Sequence, residues 1–251
     1  MIFAANWKMN IGPAEARRFA RAFLESVPFE AHREIWFFPP AVTLGAAVAA
    51  FRRRPDVRCG VQDVHWETSG AFTGAISVPL AASAGATIAL VGHSERRQVF
   101  QESDEDTHRK IAAVLAGQLT PLLCVGETLD ERKRGDTMAV VLRQLEAALL
   151  GLDPEDVSRV TVAYEPVWAI GTGQNATPED AARVHALIRA TLDGLGASSP
   201  RVLYGGSVKP ENVAALLSQQ EVDGVLVGGA SLDPATWADV VLRGSSAASS
   251  G

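Results

Sequence analysis

Eight times along this chain, a short apolar run gives way to a longer segment whose apolar positions recur at helical spacing. No other feature narrows the possible folds as far. The β-like runs lie near Ile2–Trp7, Glu34–Phe38, Val57–Gln62, Thr87–Val91, Leu119–Val125, Val160–Tyr164, Arg201–Tyr204 and Gly224–Val227. Alternation of such runs with helical segments signals βα units around a parallel sheet. The helical segments fall between them, near 14–25, 41–51, 77–84, 104–117, 137–149, 178–194, 210–218 and 234–242. Two helix starts are well marked. Thr177-Pro178 and Asp233-Pro234 each place an N-cap residue before a proline at the first helical position.

Eight βα units in 251 residues predict an α/β fold, a (β/α)8 barrel of eight parallel strands with outer helices. A doubly wound open sheet is the rival. It normally shows a glycine-rich fingerprint after its first strand, whereas here that strand runs into Asn6-Trp7-Lys8. No shift of composition marks a linker, so residues 1–243 are expected to form one domain. The Ser/Ala-rich end, 244–251, is expected to be a disordered tail.

Composition removes several function classes. Apolar residues make up 47% and charged residues 21%, as in an ordinary soluble domain. The net charge of −6 provides no overall attraction to nucleic acid or to an anionic membrane. The basic run Arg52-Arg53-Arg54 reads as a solvated helix end. No apolar run is long enough to span a bilayer. Two cysteines, Cys59 and Cys124, make no disulfide framework, and the chain opens without a basic, cleavable leader. A cytoplasmic protein is expected.

In a barrel the functional groups gather at the carboxyl ends of the strands. Those ends carry Asn6 and Lys8, Gln62, His93 and Glu95, Cys124 to Glu127, Glu165, Gly205-Gly206-Ser207 and Gly228-Gly229. The two Gly-Gly elements follow the seventh and eighth strands, where barrels commonly bind phosphate. Glycine lets backbone N–H groups approach an anion closely. Lys8, an ordinary surface lysine if taken alone, would there neutralise substrate charge. Gly92-x-Ser94-x ends in Arg96, so it is no nucleophile elbow, and the absence of clustered His/Cys spacing argues against a bound metal. Gly171-Thr172-Gly173 follows a loop, not a strand, and lacks a third glycine; glycines bracketing a mobile loop suit it better than nucleotide binding. The residues alone describe a phosphate-binding barrel with a histidine and a glutamate available for acid–base work.

Six segments together are more specific. They are Asn6-Trp7-Lys8, Gly92-His93-Ser94-Glu95-Arg96-Arg97, Cys124-Val125-Gly126-Glu127-Thr128, the stretch from Tyr164 to Gly173, Tyr204-Gly205-Gly206-Ser207-Val208 and Val227-Gly228-Gly229-Ala230-Ser231-Leu232. In order and spacing, from residue 2 to about 242, they resemble the triosephosphate isomerase family. The resemblance implies a TIM barrel that interconverts dihydroxyacetone phosphate and glyceraldehyde 3-phosphate without a cofactor or metal. By motif, Glu165 resembles the base and His93 the neutral imidazole that polarises the carbonyl. Lys8 and Asn6 would hold and position the substrate, and Glu95 resembles a supporting acid. Gly171, Ser207, Gly228 and Gly229 would contact phosphate. Pro166, Val167, Trp168, Ala169, Ile170, Gly171, Thr172 and Gly173 would form the lid.

The segment Ser69 to Gly74 resembles the loop that docks beside a partner subunit's active site, which implies a homodimer with Phe72, Thr73 and Gly74 at its interface. Two departures stand out. Ala75 replaces the usual glutamate, so one ion pair, to Arg96, is expected to be absent. Gln174-Asn175 replaces the familiar hinge after the lid. A sugar-phosphate aldolase is a weaker reading because Lys8 is misplaced for a Schiff base, and a metal-dependent epimerase would need ligands that are not evident. A binding-only barrel could have lost Glu165, His93 or Lys8, yet all three are present.

Overall fold

The computed structural model describes residues 1–170 and 176–248. Eight parallel strands close on themselves in sequence order: β1 (Ile2–Asn6), β2 (Glu34–Phe38), β3 (Val57–Val61), β4 (Ile88–Val91), β5 (Thr120–Val125), β6 (Thr161–Tyr164), β7 (Arg201–Tyr204) and β8 (Gly224–Val227). The barrel closes through β1 and β8, with Ala4 opposite Leu226, and Ala4 also faces Trp36 of β2. The predicted strands are all present, within about a residue at each end.

The helices are α1 (Pro13–Ser26), α2 (Leu44–Phe51), α3 (Val78–Ser83), α4 (Ser94–Val99), α5 (Asp104–Ala116), α6 (Leu129–Arg134), α7 (Thr137–Leu149), α8 (Pro154–Ser158), α9 (Pro178–Gly194), α10 (Val213–Leu217) and α11 (Pro234–Ala248). Local chemistry starts them where the sequence marks them. The Thr177 hydroxyl accepts the Asp180 N–H at 3.1 Å, and Asp233 accepts that of Thr236 at 2.8 Å. Three short helices, α4, α6 and α8, were not foreseen, being too short to show a helical period. The last helix also runs on through Ala248, into the segment set apart as a tail. The Ser245 and Ser246 hydroxyls bond the carbonyls of Val241 and Leu242 within it. Residues 249–251 lie outside the described residues.

Period-two alternation divides the strand side chains into two cores. Ile2, Ala4, Trp36, Phe38, Ile88, Leu90, Leu122, Cys124, Ala163, Leu203 and Leu226 fill the barrel interior. Phe3, Ala5, Ile35, Phe37 and Val162 point outward, under the helices. The same parity, continued past the strand ends, positions the site: from the interior positions Ala4, Ala163, Leu203 and Leu226, two residues on lie Asn6, Glu165, Gly205 and Gly228. No described helix is long and apolar enough to cross a membrane.

Candidate active site

One cavity of about 400 Å³ at the carboxyl end of the barrel is lined by Asn6, Lys8, His93, Glu165, Ser207 and Gly228, together with Gly229 and Ile170. Residues from β1, β4, β6, β7 and β8 therefore meet in one place. A smaller cavity of about 220 Å³ shares Asn6, Lys8 and His93 and adds Gln62, Glu95 and Met9.

Lys8 stands in a left-handed backbone conformation, φ 49°, which costs a non-glycine residue about 1 kcal/mol. Neighbours hold it there. The Asn6 side chain accepts the Lys8 N–H at 2.9 Å, and Gln62 donates to the Lys8 carbonyl at 2.8 Å and to that of Phe38 at 2.9 Å. The Lys8 ammonium reaches Glu95 Oε1 at 2.7 Å. Asn6 and Gln62 thus fix the lysine's backbone, while Glu95 fixes its charge.

His93 would point away if β4 kept its parity. Gly92, at φ 71°, turns the chain and brings the next side chain into the cavity. The Glu95 N–H, at the start of α4, donates to His93 Nδ1 at 3.2 Å. That nitrogen is therefore an acceptor and the ring proton sits on Nε2, which lies 3.1 Å from Glu165 Oε1. Oε2 of the same carboxylate accepts the Ser94 N–H at 2.9 Å. Burial opposes charge on His93, but the adjacent Glu165 carboxylate outweighs it and raises the ring above its ordinary pKa. Burial likewise opposes ionisation of Glu165, yet His93 and the Ser94 N–H hold its carboxyl below the usual range.

Beyond Glu165, Pro166 is buried and Val167–Ala169 form a short 3₁₀ turn. Glu127, fully buried, holds this segment. Its carboxylate accepts Trp168 Nε1–H at 2.9 Å and the Tyr164 hydroxyl at 3.1 Å. The Arg132 guanidinium lies 4.2 Å over the Trp168 ring and bonds Asp180 at 3.2 Å, so it ties the start of the segment to the start of α9. Gly171, Thr172, Gly173, Gln174 and Asn175 lie outside the described residues.

Cys124 is interior packing. Burial, and then the neighbouring carboxylate of Glu165, push its thiol well above the ordinary range, so it stays neutral. On the outer face of the mouth, Phe72 packs on His65 with ring centroids 4.1 Å apart, and Thr73 and Gly74 are exposed. Arg96 pairs within its own chain with Asp63 at 3.0 Å and Glu102 at 3.1 Å, although position 75 is alanine.

Sequence reasoning missed Ser94, Lys209 and the Glu127–Arg132 grip on Trp168. Ser94 contributes a backbone N–H, which residue type does not advertise. Lys209 adds a second cation beside the Gly-Gly loops, and its position two residues after Ser207 could have signalled it. Among the described residues no cluster of His, Cys, Asp or Glu could hold a metal ion.

The arrangement offers a buried carboxylate, an imidazole N–H, an ammonium and glycine-rich backbone around one small cavity. That set can move a proton at carbon and stabilise the resulting oxyanion. The family model "Triosephosphate isomerase" matches residues 1–243. A triosephosphate isomerase of Solibacter usitatus is 46% identical over 244 residues, covering 96% of this chain and 98% of that protein. One of Aquifex aeolicus is 44% identical over 243 residues, covering 96% and 98%. One of Symbiobacterium thermophilum is 47% identical over 243 residues, covering 95% and 94%. The chain belongs to the triosephosphate isomerase family.

Proposed function

We propose that this chain interconverts dihydroxyacetone phosphate and D-glyceraldehyde 3-phosphate, with Glu165 as the base and His93 as the electrophile. One observation carries the assignment of roles. The Glu165 carboxylate and the His93 Nε2–H are 3.1 Å apart in a cavity that also holds Lys8 and the two Gly-Gly loops.

The chemistry follows from those groups. Glu165 takes a proton from the carbon next to the carbonyl, leaving an enediolate, and returns it to the neighbouring carbon. His93 Nε2–H donates to the substrate oxygens as negative charge builds on them, and the Lys8 ammonium supports that charge. Before this, Glu165 must leave its contacts with His93 and Ser94. Losing two donors increases its basicity. The Gly205–Ser207 and Gly228–Gly229 backbones suit the phosphate, and Gly171 would join them from the lid. Binding energy from that remote group can be used to close the site over the reacting carbons. Closure by the segment from Pro166 to Gly173 would exclude water and hinder loss of phosphate from the enediolate. The chemistry needs no cofactor.

The same reading includes a homodimer. Its support is a loop, Phe72–Gly74, exposed to solvent, and a neighbouring mouth rim where Met9 is 95% and Phe100 63% exposed. Thr73 of one subunit would stand near the catalytic mouth of the other. A cytoplasmic location is supported by two free, buried cysteines.

A coupled assay with glyceraldehyde 3-phosphate and, in parallel, phosphate-free glyceraldehyde tests the reading. Turnover should be confined to the phosphorylated substrate. Equal rates for the two would sink the phosphate grip.

A further inference from the structure

Behind Glu165, α7 sends a polar side chain into the barrel wall. Gln144 is buried, and its amide clasps both backbone groups of Gly126. Oε1 accepts the Gly126 N–H at 2.8 Å, and Nε2 donates to the Gly126 carbonyl at 3.3 Å. Gly126 is the first residue past the end of β5, where the strand ladder stops. A primary carboxamide presents a donor and an acceptor side by side, as a neighbouring strand would. A methionine or glutamate of similar reach lacks one or both.

Gly126 is backed directly against the base. A Cβ added there would lie 1.7 Å from the Glu165 carbonyl oxygen and 3.2 Å from its Cα. The Glu165 N–H donates to Val125 at 2.7 Å, and the Val167 N–H to the Glu127 carbonyl at 3.1 Å. The three residues Val125–Gly126–Glu127 therefore carry Glu165 and the start of the lid segment, and Gln144 holds their middle. With Ser94, Cys124 and Glu165, Gln144 also lines a cavity of about 120 Å³ behind the carboxylate.

We infer that Gln144 is a positioning residue for the isomerisation. By bridging the N–H and C=O of Gly126, it sets where the Glu165 backbone stands, and so where the carboxylate meets His93 and the substrate carbon. The inference rests on the reading of Glu165 as base. Gln144 itself touches no substrate. Displacing a base by a fraction of an ångström lowers the rate of proton transfer far more than it weakens phosphate binding. The loss therefore falls on kcat.

Gln144→Met removes both hydrogen bonds at nearly constant volume. Expected are a fall in kcat of at least about tenfold, a KM within about twofold, and an acidic limb of the kcat/KM profile moved to higher pH. The last follows because the contacts that hold Glu165 low are loosened. A folded methionine variant with unchanged kcat and unchanged acidic limb, even if less stable to urea, would overturn the inference. Should that variant not fold, Gln144→Asn, one methylene shorter, is read by the same criteria. Amide exchange in the unaltered protein gives an independent check: the Gly126 N–H should be strongly protected, and exchange at the rate of an exposed loop would count against the clasp. Glu165→Gln is assayed alongside. Turnover surviving in Glu165→Gln would mean the base is misassigned. An inactive Glu165→Gln beside a fully active Gln144→Met would defeat the positioning role alone.

Discussion

His93 Nε2 lies 3.1 Å from Oε1 of Glu165, while the far side of the same ring accepts the Glu95 N–H at 3.2 Å. Each partner of this pair sets the proton affinity of the other. Burial disfavours charge on both, and their mutual contact favours it and prevails. The pair is thus poised to respond when a substrate separates it.

Replacing Glu165 by Gln keeps the shape and most of the contacts but removes the base. Isomerisation should fall by at least about a thousandfold, the scale of general-base catalysis. Binding of a phosphate-bearing substrate analogue, followed by calorimetry, should survive. Near-normal turnover would remove Glu165 from its role.

The same variant should move His93. With the carboxylate gone, the remaining influences are burial and Lys8, which lower the ring, and the more distant Glu95, which raises it. Its pKa is therefore expected to cross from above the ordinary histidine value to below it. Nitrogen-15 NMR titration of the ring in both proteins reads this directly. A pKa unchanged by the substitution would mean that the two groups are not coupled.

Stability should depend on His185. Burial holds its pKa at about 4, against 6.5 for a free ring, and its Nδ1 contacts the Glu221 carbonyl at 3.0 Å. Below pH 6.5 the unfolded chain takes up a proton at this ring that the native protein refuses. Stability is therefore full above 6.5 and is lost as pH falls toward 4, by about 3 kcal/mol from this group. His185→Asn can keep the hydrogen bond without titrating, so its urea midpoint should fall less between pH 7 and pH 4.5. Parallel losses in both proteins would refute the assignment.

Association should be visible in sedimentation. The unaltered chain is expected to sediment as a dimer, and Phe72→Glu, which charges the exposed loop, to shift it toward monomer with lower activity. An unaltered chain that is monomeric and fully active at high dilution would refute the dimer.

The barrel was legible because burial on both faces leaves near-continuous apolar runs, and because Thr177-Pro178 and Asp233-Pro234 announce their helices locally. Short helices such as α4 carry too few residues to show a period, and the extension of α11 through Ala248 hides in a composition that also suits a coil. Asn6, Glu165 and Gly228 were legible as strand-end residues, since alternation dictates which side chains continue the interior row. His93 broke that parity, and its inward aim depends on the positive φ of Gly92.

By itself, then, the sequence determined the eight βα units, the mouth at which their functional residues gather, and membership of a family. Those properties are written in residue type and spacing, which are local. Tertiary structure alone decided that Ser94 offers its N–H to Glu165, that Glu127 and Arg132 hold Trp168, and that Gln144 clasps Gly126. The first two join different βα units and the third ties the end of β5 to α7; the Ser94 and Gly126 contacts use backbone groups that every residue possesses. Lateral pairing of β4, β5 and β6 and the packing of α7 behind them bring these groups within reach.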